Sequence, residues 1–314
     1  MYTESSKSHV SAPNSNREPI SDHDLIRGFE LSLGASGRSP KTLRSYTDSI
    51  KALSAFASAE GLPPLAVMDR EHVRFWLVSL HDKGNKPGTV HLRYRGLNRF
   101  FRWCVEEEER QDNPMDRIDP PRIPSTIQPY YSPEGLQKVL KLIGRRTRYD
   151  LRDKAIILTL FDTGVRSAEL SGMREHDLDW GDRTILVTGK GGKQRRVSIG
   201  HVAAQAIERY LRKRGVQSDW LWLASGNRPL ANNGLRMMLD RRFQRAGVEF
   251  RGAHAFRRGF AMDYLAAGGQ EGDLKELGGW ENYAMVSRYA KANAGERAVA
   301  AHKKLSPGDR LNVR

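Results

Sequence analysis

The chain has 314 residues, 39% of them hydrophobic, which is enough to bury more than one core. Its 52 Lys and Arg against 37 Asp and Glu leave a formal charge of +15 and a pI near 10, so the expected partner is a polyanion, nucleic acid first. The single cysteine, Cys104, excludes an intrachain disulfide framework and a cysteine-cluster zinc site, and no run approaches about 18 uninterrupted apolar residues, so a membrane partner is not expected.

Residues 1–20, MYTESSKSHVSAPNSNREPI, are polar and lack the apolar core of a signal peptide; they read as a flexible tail of a cytoplasmic protein. The segment SPKTLRSYTDSIKALSAFASAEG opens with Ser39 as cap and Pro40 at the first helical position. Tyr46, Ile50, Leu53 and Ala57 then recur at helical spacing until Gly61 stops the run. A second helix, in DREHVRFWLVSLHDKGN, puts Val73, Trp76, Leu77 and Leu80 on one face. A third, in GTVHLRYRGLNRFFRWCVEEEE, carries Val90, Tyr94, Leu97, Phe101 and Cys104 on one face and Arg95, Arg99 and Arg102 on another. Three or four such helices over residues 21–119 make a small all-α domain. The arginine stripe has two readings, a surface that tracks phosphates or a solvated helix face; the run Glu106 to Glu109 is a solvated helix end.

Six prolines from Pro114 to Pro133 stiffen the next stretch and forbid helix, and the interdomain linker is placed at 120–129. The second domain, 130–314, starts at the cap Ser132-Pro133-Glu134. Helices are expected from Leu136 to Ile143 and from Asp153 to Phe161, then a turn at Asp162-Thr163-Gly164 and a short helix carrying VRSAEL. DLDWGDRTILVTGKGGKQRRVSIG reads as strands joined by glycine turns, and helical periods return from residue 201. The fold class is thus mainly α with a small antiparallel β-sheet.

Residues scattered along this second domain suit phosphodiester chemistry. The transition state carries extra negative charge on its non-bridging oxygens, which always-charged, fork-shaped guanidinium groups can meet. A nucleophile, a base and an acid for the departing oxygen complete the requirement. Arg166 follows the glycine turn with Glu169 three residues on to buttress it, and Lys190 lies at the tip of VTGKGGKQRRV. His254 and Arg257 share a helical turn in AHAFRRGF, and Trp280 and Tyr289 close the set. Each alone has a bland reading: an exposed hairpin lysine, a core histidine, a surface arginine, packing aromatics. GKGGKQ is not a phosphate loop, since Val187 stands where glycine and Gln194 where Ser or Thr would be needed.

In this order, Arg, Lys in a hairpin turn, His-x-x-Arg, Trp and Tyr resemble the tyrosine recombinases, or phage-type integrases. The resemblance covers residues 25 to about 300, including SPKTLRSY and the proline-rich linker. Lys190 follows Arg166 by 24 positions and Tyr289 follows Trp280 by nine, as in Xer-type members. The resemblance implies a helical, SAM-like core-binding domain followed by an α+β catalytic domain with a C-terminal tail from about residue 292. It implies that Tyr289 attacks the scissile phosphate of double-stranded DNA and becomes joined to the 3′ end. Arg166 and Arg257 would clamp the phosphate, Lys190 would protonate the leaving 5′ oxygen, and His254 would assist proton transfer. Trp280 stands where many relatives have His and is expected to position and pack. Arg258 departs from the common His-x-x-Arg-His pattern, with no role assigned. Arg95, Arg99, Arg102 and Lys193 are the expected DNA-contacting cations.

Resealing through a covalent intermediate needs neither metal nor ATP, so no cofactor is expected. The resemblance further implies a tetramer on DNA, accessory proteins in some systems, a Holliday-junction pathway, and a compact member without a separate arm-binding domain. Integrase of a phage or mobile element is the favoured role. Xer-type dimer resolution, a relaxing enzyme of the type IB topoisomerase kind and a catalytically silent DNA-binding regulator are the alternatives. Tyr283 is a second candidate nucleophile in GGWENYAMVSRYAKA. At about 100° per residue it lies about 120° around a helix from Tyr289, so both cannot face one phosphate, and Tyr283 reads as a packing or cap residue.

Overall fold

A computed structural model describes residues 20–124, 128–292 and 294–311, and of Lys190 the backbone only. The expected tail, Ile20 apart, and residues 125–127 of the chain lie outside the described residues. Two compact units divide between residues 125 and 126.

Among the described residues the first unit holds four helices: α1 (Asp22–Ala35), α2 (Pro40–Ala59), α3 (Arg70–Asp82) and α4 (Pro87–Glu106). Their starts follow from side-chain caps that satisfy otherwise orphaned N–H groups. Ser39 accepts from the Thr42 N–H, as its place before Pro40 predicts, and Asp69 and His72 cap α3 reciprocally. Helix α1 is the element the sequence reading did not single out. It has the same signals, with Ser21 accepting from the Asp24 N–H and Leu25, Ile26, Phe29 and Leu33 buried along one face. The core joins these residues to Ile50, Leu53, Val73, Trp76, Val90, Leu97 and Phe101. Leu80 and Tyr46, expected on the buried stripes, are only half-buried. Helices α2 and α4 meet at Gly96, where an added Cβ would lie 2.8 Å from the Ser49 Cβ. That contact requires glycine.

The second unit adds α5 (Pro133–Leu142), α6 (Arg148–Thr163), α7 (Ser167–Gly172), β1 (Leu178–Asp179), β2 (Thr184–Thr188) and β3 (Gln194–Ser198). It continues with α8 (His201–Arg214), α9 (Asn232–Arg245), α10 (His254–Ala266), α11 (Glu271–Gly278), α12 (Tyr283–Ala292) and α13 (Ala294–Leu305). Helix α6 begins five residues before the expected Asp153, because Thr147 caps it, accepting from the Asp150 N–H at 3.0 Å and donating to Asp150 Oδ2 at 2.7 Å. The sheet is antiparallel in the order β1-β2-β3, with Ile185 opposite Val197 and Thr188 opposite Gln194. Its inward residues Ile185, Val187 and Val197 join Ile156, Leu160, Ile207, Leu239 and Phe256 in the larger core. A second cluster gathers Phe260, Leu265, Leu274, Trp280, Val286 and Tyr289 from α10 to α12. The mainly helical class with a small antiparallel sheet is as the sequence indicated. Among the described residues no helix is long and apolar enough to cross a membrane.

Candidate active site

The site is built around the turn that ends α6. Gly164 caps the helix at φ 60°, and an added Cβ would fall 2.4 Å from the Phe260 ring, so only glycine fits. Arg166 follows as the N-cap of α7. Glu169 reaches back to it, accepting from the Arg166 backbone N–H at 2.7 Å and from its guanidinium Nη1 at 2.7 Å. A third partner, absent from the sequence-based set, completes the cluster. Arg195 of β3 donates through both terminal nitrogens to the two Glu169 oxygens at 3.0 Å each. Burial pushes the Glu169 carboxyl up, but the hydrogen bonds from Arg195 and from the Arg166 backbone outweigh it and hold the group at about 2. The signal for Arg195 was its strand alternation: it points to the side opposite Arg196, whose guanidinium donates to Thr184.

Helix α10 supplies His254 and Arg257. Arg257 is only 1% exposed, yet among the described residues no carboxylate pairs with it. Its Nη1 donates to the Gly164 carbonyl at 2.8 Å and its Nη2 to the Gly278 carbonyl at 2.6 Å. The guanidinium carbon lies 4.1 Å from the centre of the Trp280 ring. Two donated bonds leave three of its five N–H groups for an anion. Burial, and after it the Arg166 charge, lowers its pKa to about 10, so it remains charged at neutral pH. His254 is open to solvent on one side, while the protein behind it and the charges of Arg257, Arg258 and Arg166 lower its pKa and keep it neutral.

Trp280 and Tyr289 are each 7% exposed, with ring centres 5.9 Å apart. The Trp280 ring occupies the space beside Gly278, where an added Cβ would come within 1.9 Å of it. Burial raises the Tyr289 phenol pKa, against the opposing pull of Arg257, Arg258 and Arg288. Tyr283, at the first residue of α12, is 54% exposed and does not share this cluster. The structure therefore brings Arg166, Glu169, Arg257, Trp280 and Tyr289 together, with His254 three positions before Arg257 on α10.

The backbone of Lys190 begins a 3₁₀ turn, Lys190–Gly192, at the tip of the β2–β3 hairpin, where Gly191 and Gly192 have φ of 75° and 76°. Its side chain lies outside the described residues. Lys193 is exposed and lies 3.3 Å from Glu281, also exposed. Arg95 and Arg102 are exposed on α4, whereas Arg99 is half-buried and pairs with Glu106 at 3.0 Å. Arg258 donates twice to the Pro129 carbonyl, at 2.9 and 2.6 Å, which ties α10 to the chain entering the second unit.

A buried tyrosine beside a buried guanidinium that no described carboxylate bonds, with a second arginine across a glycine turn, is an arrangement chemically able to anchor and attack a phosphate. Comparison with known proteins gives the class. Residues 133–296 match the phage integrase family, and residues 26–108 match the phage integrase N-terminal SAM-like domain. The chain belongs to the phage integrase family, whose members include the tyrosine site-specific recombinases. It is 28% identical over 260 residues to tyrosine recombinase XerC of Oceanobacillus iheyensis, covering 80% of this chain and 85% of that one. Tyrosine recombinase XerA of Thermococcus kodakarensis is 27% identical over 286 residues, covering 90% and 95% of the two chains. The crystal structure of XerH site-specific recombinase bound to palindromic difH substrate, a post-cleavage complex, matches with a TM-score of 0.72 at 19% identity, over 92% of this chain and 85% of that one. At that identity the likeness is one of fold.

Proposed function

We propose that the protein cuts and rejoins duplex DNA at specific sites through a tyrosine-linked intermediate. Tyr289 Oη forms a bond to the scissile phosphorus as the bond from phosphorus to the 5′ oxygen breaks. The phenolic proton passes to neutral His254, and the departing oxygen takes a proton from Lys190. Arg166 and Arg257 meet the charge that develops on the non-bridging oxygens, and Trp280 holds Arg257 and Tyr289 against each other. The observation that carries this reading is the buried contact of Tyr289 with Trp280 beside Arg257, a guanidinium held by two backbone carbonyls and, among the described residues, by no carboxylate.

The helices of residues 21–119 and the catalytic unit would both contact duplex DNA, with Arg95, Arg99, Arg102 and Lys193 on phosphates and residues 120–129 as linker. Four protomers would then exchange strands through a Holliday junction, the tail from about residue 292 docking between them. Integrase of a phage or mobile element is the favoured role, supported by Trp280 and Arg258 in place of the Xer-type pattern. The test is a pool of nicked duplexes with randomised arms, incubated with the protein in chelator. Detergent-resistant protein–DNA products are recovered and sequenced. The expected result is enrichment of one site and a covalent link that maps to Tyr289. A covalent product that persists in Tyr289→Phe, or none from the wild type, refutes the reading. Enriched sites at the ends of a mobile element support the integrase role, and a chromosomal site replaces it with the Xer-type one.

A further inference from the structure

One charged side chain at the centre of the site has no place in the chemistry above. Arg195 is 17% exposed, against 41% for Arg166, yet it holds the same carboxylate. Glu169 has two oxygens with about four acceptor positions, and all are occupied. Arg166 takes one through its backbone N–H and one through a single guanidinium nitrogen. Arg195 takes the other two with the parallel fork that suits a carboxylate best. The inner arginine thus neutralises Glu169, while the outer one keeps four of its five guanidinium N–H groups uncommitted to the carboxylate.

Arg195 also reaches the other arm of the site. Its Nε donates to the Leu277 carbonyl at 3.2 Å, and an added Cβ at Gly279, whose φ is 61°, would lie 2.9 Å from that nitrogen. The neighbouring carbonyl, Gly278, accepts from Arg257, and the next residue but one is Trp280. One guanidinium therefore fixes both the buttress of Arg166 and the turn that aims Arg257.

We propose, resting on the recombinase reading, that Arg195 is a positioning residue that carries the Glu169 charge so that Arg166 stays available to the scissile phosphate. Without it, Glu169 is a carboxylate with half its acceptors empty. Arg166 is the nearest guanidinium and would swing into the vacated fork, which turns its donors away from DNA.

The test measures single-turnover covalent attachment on the nicked duplex that wild type enriches, with duplex affinity measured separately. Arg195→Gln is expected to slow attachment by about tenfold or more and to leave affinity within about twofold, since the loss falls on orientation. Arg195→Lys, which keeps the charge without the fork, is expected to fall between it and wild type. The deciding variant is Glu169→Gln with Arg195→Gln. With both charges gone Arg166 has nothing to fold onto, so this double variant is expected to attach DNA faster than Arg195→Gln alone. A double variant that is as slow as the single one, or inert whether folded or not, overturns the proposal. So does Arg195→Gln at the wild-type rate. Absence of any covalent product from wild type would instead sink the recombinase reading itself.

Discussion

Trp280 offers a sharp test of how the site is held. Its ring is 7% exposed, covers the Arg257 guanidinium at 4.1 Å and lies 5.9 Å from Tyr289. An indole N–H can donate a hydrogen bond but cannot accept the proton that a neutral imidazole takes, so packing should dominate its contribution. Deleting a buried Trp side chain costs about 3–5 kcal/mol, of which a desolvated cation–π contact accounts for about 2. At about 2–4 °C per kcal/mol for a domain of this size, Trp280→Ala should lower the melting transition of the catalytic unit by about 6–20 °C. Trp280→Phe keeps a ring over the guanidinium and should cost about 1 kcal/mol, with covalent attachment reduced by less than about tenfold. Calorimetry and the covalent-attachment assay read the two effects separately. A Trp280→Ala transition within about 2 °C of wild type would refute the packing account. A folded but inert Trp280→Phe would show that the indole N–H does the chemistry.

Three further outcomes follow from the same geometry. His254 must be neutral to take the Tyr289 proton, and burial together with three arginines lowers its pKa below the usual 6.5; attachment should fall on acidification with a midpoint below that of a free imidazole, and a midpoint at or above about pH 6.5 contradicts this. Glu169 is held at about 2 against its usual 4.5, so its contribution to stability is complete above pH 4.5 and is lost as pH falls towards 2; the loss is about 3 kcal/mol, and urea unfolding of Glu169→Gln should depend less on pH in that window than wild type. Gly164→Ala forces an αL alanine and puts a Cβ 2.4 Å from Phe260. It should cost about 2–4 kcal/mol in thermal unfolding, whereas Gly191→Ala, whose added Cβ would meet nothing within 4 Å beyond its chain neighbours, should cost only the backbone strain of about 1 kcal/mol.

Local signals carried the fold well where they were dense. The cap at Ser39, the stop at Gly61 and the 3.6-residue stripes of α2 to α4 are readable because each depends on neighbours within one or two turns. Helix α6 was foreshortened because its start depends on one side chain, Thr147, whose bond to Asp150 leaves no periodic trace before Asp153. Helix α1 was passed over because Ser21 directly follows a polar tail, and its cap is read only once Leu25, Phe29 and Leu33 are seen as one face. At the site, order and spacing single out Arg166, Glu169, His254, Arg257, Trp280 and Tyr289, which the fold places in or beside one cluster. Arg195 was missed for a different reason. In QRRV it stands beside Arg196, and which of the two turns inward depends on the register of β3 with β2 and on Glu169, which lies 26 positions away.

The two arginines that would hold the phosphate are kept charged by opposite means. Arg166 lies near a carboxylate, but that carboxylate's charge is met by Arg195, so the cluster of Arg166, Glu169 and Arg195 retains one net positive charge. Arg257 bonds no carboxylate among the described residues and is solvated by the Gly164 and Gly278 carbonyls and the Trp280 face. Neutral dipoles lower the cost of burying a cation without cancelling its field, which is what a site for a dianionic transition state requires. Burial first, and then repulsion from Arg166 and Arg195, brings the Arg257 pKa down to about 10, so the cation persists at neutral pH. A carboxylate in place of either carbonyl would make the empty protein more comfortable and the occupied one worse. In the proposed reaction, a scissile phosphate entering beside Arg257 would meet a positive field that no bonded carboxylate cancels, and that field would favour the Tyr289 phenol losing its proton as it attacks.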